Sequence, residues 1–295
     1  MTRNRPVSDQ SDLGTDADAS TAFERTGWER QAPTYDDVIG RVTSRLVGPL
    51  LDAAGVQRGS RVLDLATGPG YAAAEAAALG ASVVGVDMAP AMVELARRLH
   101  PAVEFRVAQA EALPFEDDVF DAAVSNFVVS HLSRPERAIS ELVRVLHGGG
   151  RLALTTWDQA DRMRLLGVFL DSFADAGATP PPDIPAGPAF FQFADEEKFA
   201  NLLTGCGLSG VEVTTVAFDH RIQSGAELWQ GMLGGTVRTS AFFLGQPEQT
   251  REKIRAAFDR LLLDYRRGES FELPVSVKLA SGVKSGLLVR PIIRH

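Results

Sequence analysis

The chain has 295 residues, 45% of them hydrophobic, with 30 Lys+Arg against 38 Asp+Glu for a formal net charge of −8. That apolar share supports a full core and excludes global disorder, and the acidic balance argues against non-specific nucleic-acid binding or a basic membrane-surface patch. Cys206 is the single cysteine, which excludes an intrachain disulfide and a cysteine-built zinc site within one chain.

Residues 1–22 are polar and acidic with no apolar h-region, so we expect a disordered tail rather than a signal peptide. Order is expected from residue 23 to 285, with a further tail over 286–295. Across 36–54 the residues Ile39, Val42, Leu46, Leu50 and Ala53 recur at helical steps, predicting one helix kinked at Gly48-Pro49. Short apolar runs then alternate with helices: strand 62–65, helix 72–79 stopped by Gly80, strand 82–86, a helix opening on Pro90, strand 103–107 and strand 120–127. Ser133-Arg134-Pro135-Glu136 matches a capping box, Gly148-Gly149-Gly150 is expected to end that helix, and 151–157 is a fifth strand.

That rhythm predicts an α/β fold: a doubly wound, Rossmann-like seven-stranded sheet, with ligands at the carboxyl ends of the strands. After Trp157 come a helix over 162–176, a proline-rich loop from Thr179 to Pro188, a helix capped by Asp195, a strand over 210–218 and a last strand over 271–279. Helices inserted between these last two strands read as a lid, the cap and lid elements spanning about 158–209 and 224–268. No apolar run reaches membrane-span length, so a cytoplasmic setting is expected.

The turn Leu65-Ala66-Thr67-Gly68-Pro69-Gly70 between first strand and first helix is the centre of interest. Glycines there let a ligand approach the backbone and the helix N-terminus. Gly68-Pro69-Gly70-Tyr71-Ala72-Ala73 satisfies a dinucleotide fingerprint with Ala in third place, and Asp87 stands where a ribose-binding acid belongs. Asp64 pulls the other way, because a pyrophosphate at this turn would face its carboxylate while a cationic ligand would be attracted. Neither turn offers a nearby Arg or Lys.

Val62-Leu63-Asp64-Leu65-Ala66-Thr67-Gly68-Pro69-Gly70 resembles the first motif of class I S-adenosylmethionine-dependent methyltransferases. Val84-Gly85-Val86-Asp87-Met88 is similar to the second, Ala110-Glu111-Ala112-Leu113-Pro114-Phe115 to the third, and Phe120 to Phe127 followed by His131-Leu132 to the fourth. The resemblance covers residues 35–157 and within the class is to the menaquinone/ubiquinone C-methyltransferase-like (type 11) group.

The resemblance implies S-adenosyl-L-methionine as methyl donor and S-adenosyl-L-homocysteine as product. It implies that the backbone of Ala66, Gly68 and Gly70 lines the methionine moiety and that Asp64 helps hold its amino group. Asp87 would accept the ribose hydroxyls and Met88 would pack on adenine. Gln109, where the family often has Asp or Asn, would sit with Ala110 and Glu111 near the adenine amino group. Asn126 and Phe127 would stand beside the sulfonium, and Tyr35 would fold over the cofactor, with Trp28 a weaker candidate. Each also has a plain structural reading: a tight turn for the glycines, a helix cap for Asp87, core packing for Met88 and Tyr35, a solvated acid for Glu111.

His131 follows the fourth strand near the mouth of the expected site and titrates in a useful range, which makes it the candidate general base; His220 is a weaker one. No His/Asp/Glu cluster has metal-ligand spacing, so no metal is implied. Phe190, Phe191, Trp229, Met232, Leu233, Phe242 and Phe243 suit an apolar or aromatic small-molecule acceptor of O, N or C type, such as a secondary metabolite, or form the lid's own core. A homodimer is compatible with this reading; nucleic-acid and membrane partners are not expected. The competing readings are an NAD(P)-dependent oxidoreductase and a non-methylating protein that keeps the fold and the cofactor.

Overall fold

The structure, a computed structural model, describes residues 10–286, with side chains from residue 16. The chain opens with α1 (Gln10–Gln31). Then α2 (Ile39–Thr43) and α3 (Val47–Ala53) precede β1 (Arg61–Leu65), α4 (Tyr71–Ala78), β2 (Ser82–Asp87), α5 (Pro90–Leu99) and β3 (Glu104–Val107). β4 (Phe120–Ser125), α6 (Pro135–Val145) and β5 (Leu146–Trp157) complete the alternating half. The rest is α7 (Arg164–Asp175), α8 (Glu196–Gly205), β6 (Leu208–Ile222), α9 (Gly225–Gly235), α10 (Arg238–Leu244), α11 (Glu248–Leu262), β7 (Arg266–Arg267) and β8 (Ser270–Lys284).

The strands form one sheet in the order β3-β2-β1-β4-β5-β8-β6, with the two-residue β7 paired to β8. β1 to β5 are parallel, and β8 runs antiparallel between β5 and β6. Alternation along β1 divides the core. Val62 faces the α3–α4–α5 layer with Leu50, Ala73 and Val93, while Leu63 and Leu65 face α6 and α8 with Ile139, Leu142 and Phe199. Both faces are covered, which is why the strands read as near-continuous apolar runs.

Several local expectations are corrected. Residues 10–22, expected to be disordered, continue as helix α1, and Ser20 is buried within it; its partners lie far along the chain, so composition alone hid them. Residues 1–9, and the expected C-terminal tail after Gly286, lie outside the described residues. The predicted 36–54 helix is split into a 3₁₀ turn (Tyr35–Asp37), α2, a second 3₁₀ turn (Ser44–Leu46) and α3. Pro49 cannot donate to a preceding carbonyl, so it belongs in a helix's first turn, and the break falls before Gly48 rather than at it. The capping box does not form: Arg134 stands at the N-cap position with no capping hydrogen bond to the helix amides, and Ser133 Oγ instead accepts from Thr21 of α1 at 3.4 Å. The triple glycine lies inside β5 as a register shift between Phe120 and Ala122 of the partner strand, where a Cβ on Gly150 would come within 3.0 Å of the Asp121 carbonyl. Asp195 does cap α8, accepting from Lys198 N at 3.1 Å.

β6 and β8 run beyond the sheet. Trp157 pairs with Val277, but β6 and β8 remain paired to Ile222↔Phe271, leaving a two-stranded ribbon that projects roughly 20 Å. On it Phe271, Leu273 and Val275 join α7, α9 and α11 in a second core around Phe169, Trp229 and Phe258. Phe169 is fully buried, 5.3 Å from the Trp229 ring and 4.7 Å from Phe258. Phe169→Ala should cost about 3–5 kcal/mol; a shift of the denaturant midpoint worth less than about 1 kcal/mol would show that this core carries little of the fold.

Candidate functional site

The carboxyl ends of β1 to β5 open into a cavity of about 570 Å³. It spans the switch point where the crossovers reverse direction between β1 and β4, the place where this topology binds ligands. One end is polar, with Ala66, Gly68, Asp87, Met88, Gln109 and Glu111 in its wall; the other is apolar, with Phe127, Trp157, Met163, Leu166, Phe173 and Phe242. Trp28, Tyr35 and residues of α9 and α10 close it over the top.

The polar end is shaped by two buried acids. Asp87, at the end of β2, accepts Gly68 N at 3.0 Å on Oδ2 and Ala89 N at 2.9 Å on Oδ1. The carboxylate faces the cavity and keeps acceptor capacity toward it. Burial raises its pKa, partly offset by the Ala89, Gly68 and Met88 amides. Asp64 lies on the face of β1 toward α4, 1% exposed, and its Oδ2 accepts the Thr67 hydroxyl at 2.6 Å and Ala73 N at 3.1 Å. Burial pushes its pKa up to about 7, while the Thr67 and Ala73 bonds pull down and the Asp87 charge adds to the rise. The backbone turns between them on Gly70 at φ 87°, the N-cap of α4, where a Cβ would meet the Phe105 ring at 2.8 Å.

Of the residues singled out in the sequence, Tyr35, Ala66, Gly68, Asp87, Met88, Gln109, Ala110, Glu111, Asn126, Phe127 and His131 share this cavity's wall. Asp64 and Gly70 do not line it; they stand behind the wall and set the shape of the turn. Asn126 is already engaged, donating to the Thr43 carbonyl at 3.0 Å and accepting from Thr155 Oγ1 at 2.7 Å. Phe127 takes φ 65°, donates its N–H to Thr155 Oγ1 and stacks on Trp157 at 3.9 Å. Tyr35 packs edge-on to Trp28 at 6.0 Å. His220 sits on β6 opposite Leu273 and is not part of the cavity. Among the described residues no His/Cys/Asp/Glu group could hold a metal.

The aromatic residues expected of the lid divide. Phe190, Phe191, Met232 and Phe242 reach the cavity, whereas Trp229 packs into the ribbon core with Phe243 against it. Sequence reasoning missed Glu24 and Arg238. Glu24 Oε1 accepts from Arg238 Nε at 2.6 Å and Oε2 lies 3.2 Å from His131 Nδ1, pairings across 214 and 107 positions that no local pattern announces. Trp157 could have been found, since it closes β5 at its carboxyl end.

The doubly wound order with an antiparallel β8 defines a Rossmann-like α/β class. Residues 63–154 match the family described as methyltransferase domain. Demethylmenaquinone methyltransferase of Clavibacter sepedonicus is 38% identical over 141 residues, 46% of this chain and 54% of that protein. The enzyme of the same name from Renibacterium salmoninarum is 36% identical over 127 residues, 42% and 54% respectively. The chain thus spans about half the length of these curated relatives. In structure it resembles YcgJ of Bacillus subtilis (TM-score 0.53, 21% identity, 82% of this chain and 98% of that one). It also resembles an antibiotic-biosynthesis-pathway protein of Anabaena variabilis (0.54, 20%, 80% and 96%). These likenesses extend to the fold.

Asp64 generates a pH prediction. Its folded pKa lies above its ordinary value, so its contribution to stability is fully present below the ordinary carboxylate range and is lost as pH rises through about 7. Asp87, also raised, acts in the same sense. The ligand-free protein should lose roughly 2–4 kcal/mol from Asp64 between about pH 4 and pH 8. Asp64→Asn, whose amide oxygen can still accept from Thr67 and Ala73, should flatten that slope in urea melts. An unchanged slope would contradict the assignment.

Proposed function

We propose that the chain is a methyltransferase that binds S-adenosylmethionine at the polar end of the cavity and methylates a small apolar or aromatic acceptor at the other. The observation that carries this reading is where the amides of the glycine turn go. Gly68 N is spent on Asp87, Ala73 N on Asp64, Thr67 N on the Val86 carbonyl and Gly70 N on the Thr67 carbonyl. A dinucleotide pyrophosphate needs such amides free at the helix N-terminus. Here the chain's own carboxylates already take two of these amides and lie beside the turn, which disfavours an anionic ligand and favours a cationic one.

The residues fit the proposed cofactor. The acceptor capacity of Asp87 suits vicinal ribose hydroxyls, Met88 and Ala110 offer surface for a purine, and Gln109 and Glu111 offer polar atoms at its rim. Ala66 and Gly68 admit a ligand close to the backbone. When bound, the cofactor supplies an activated methyl group: the new bond to the acceptor forms as the C–S bond breaks, its electron pair staying on sulfur. The protein's share is alignment and exclusion of water, which the stacked Phe127–Trp157 pair and the closing helices supply. The curated relatives are named for a demethylmenaquinone acceptor, and an apolar ring of that kind suits the aromatic end, as does an aromatic secondary metabolite. No described helix is long and apolar enough to cross a membrane, and we place the reaction in the cytoplasm.

S-adenosylhomocysteine at about 100 times its Kd should stabilise the protein by about 2.7 kcal/mol, visible as a thermal shift, while NADH should give none. Asp87→Asn, with a donor in place of one acceptor oxygen, should weaken S-adenosylhomocysteine binding at least about tenfold by calorimetry. Stabilisation by NADH without S-adenosylhomocysteine would overturn the reading.

A further inference from the structure

The cavity holds an arrangement that methyl donor binding does not use. Glu24 projects from α1 with its side chain 0% exposed, and its two oxygens go to different elements. Oε1 takes Arg238 Nε of α10 at 2.6 Å, and Oε2 meets His131 Nδ1 at 3.2 Å. Arg238 is itself fixed by the Pro185 carbonyl at 2.9 Å and Ser20 Oγ at 2.8 Å. The imidazole is clamped edge-on by Trp28 at 5.3 Å and Phe190 at 5.4 Å. It lines the cavity with 17% of its side chain exposed, and Nε2 makes no hydrogen bond among the described residues.

From this geometry we propose that Glu24 is a positioning residue that holds His131 as general base toward an acceptor bearing an acidic O–H, a phenol or enol on an apolar body. The proposal rests on the methyl-transfer reading above. Burial raises the Glu24 pKa, while the hydrogen bonds from His131 and Arg238 and the Arg238 charge pull it down, and the carboxyl lies below its ordinary range. An ionised carboxylate only accepts, so Nδ1 carries the proton and the neutral ring presents the Nε2 lone pair. The charged groups facing the imidazole are Glu24 from α1 and, through it, Arg238 from α10; Trp28 and Phe190 bring none.

The acceptor's O–H bond breaks with its electron pair staying on oxygen, and the proton goes to Nε2. The resulting imidazolium is stabilised by the Glu24 carboxylate. The class of acceptor follows. A neutral amine already has a nucleophilic lone pair and needs no base before attack. A phenol, with a pKa of about 10, is acidic enough to give its proton to an imidazole base, and an aliphatic alcohol is not. Phe127, Trp157, Phe173 and Phe242 supply the surface for the apolar body.

The test titrates para-nitrophenol into the full chain saturated with S-adenosylhomocysteine, at a pH below the phenol's own pKa, and reads the phenolate absorbance band. Nitrogen NMR of the histidines, with His131 identified by the resonance missing in His131→Asn, reads the tautomer without any acceptor. We expect the Nδ1–H tautomer and a bound phenolate band in the unsubstituted protein, and no phenolate band in His131→Asn. Glu24→Gln should give a mixed tautomer and about a tenfold lower phenolate-to-phenol ratio, the effect of one pKa unit, with Glu24→Asp partly restoring both. An Nε2–H tautomer in the unsubstituted protein, no phenol binding, binding as neutral phenol only, or a phenolate band surviving in His131→Asn would each overturn the proposal. A purely architectural Glu24 would lower the melting temperature in Glu24→Gln and leave tautomer and band untouched. Stabilisation by S-adenosylhomocysteine is read on the same samples: its absence sinks the methyl-transfer reading, whereas its presence with an unmoved tautomer sinks only this one.

Discussion

The constraint on which this site depends is that the chain uses its own acids to hold amides of the two strand-to-helix turns. A helix leaves its first N–H groups without internal partners, and in nucleotide-binding folds a ligand phosphate commonly takes them. Here Asp64 takes Ala73 N and Asp87 takes Gly68 N and Ala89 N. The Asp87 charge nearby adds to what burial already costs Asp64 on ionisation. Small residues in the turn follow from that geometry, because the backbone must pass between the two acids while Phe105 presses on Gly70. What remains open to the cavity at this turn is the acceptor capacity of Asp87, which favours a donor-bearing or cationic ligand over an anionic one.

The other half of the cavity depends on the ribbon. Once β6 and β8 run past the end of β5, their exposed apolar face needs a cover, and α7, α9 and α11 supply it. The same helices, with α10 and the loop before α8, bring Met232, Phe242, Phe190 and Phe191 over the strand ends. The aromatic residues of this region therefore serve two roles, separated by position. Trp229 and Phe243 face the ribbon core, while those one helical face away reach the cavity. Apolar lining at the acceptor end is thus continuous with a packed core, which keeps it rigid.

Much of this was legible in sequence wherever the signal was local. The β1 turn, the strands of the alternating half, the prolines opening α5 and α6, and the Asp195 cap all follow from period, backbone restriction or a neighbouring amide. The residues from Ala66 to His131 were singled out through the resemblance of their motifs, and the doubly wound sheet brings those strand ends to one cavity. What failed depended on distant partners. Ser133-Arg134-Pro135-Glu136 has the spacing of a capping box, yet Thr21 draws the serine away. The triple glycine looks like a helix stop but serves as a bulge in β5. Helix α1 looks soluble and structureless because what holds its acid lies 107 and 214 positions downstream.

That last pairing explains how the cavity is closed. An apolar seal between α1 and α10 would be non-directional and would merge with the aromatic wall beside it, leaving the helix free to slide. A buried carboxylate shared between a guanidinium and an imidazole fixes one register instead. Such pairs contribute little net stability over well-packed apolar residues, and removing one partner leaves a charge stranded at a cost of about 3–5 kcal/mol. The asymmetry favours specification: α1 either docks with Glu24 between Arg238 and His131 or does not dock at all. Closure of the cavity and orientation of the imidazole are therefore one event, set by the same carboxylate.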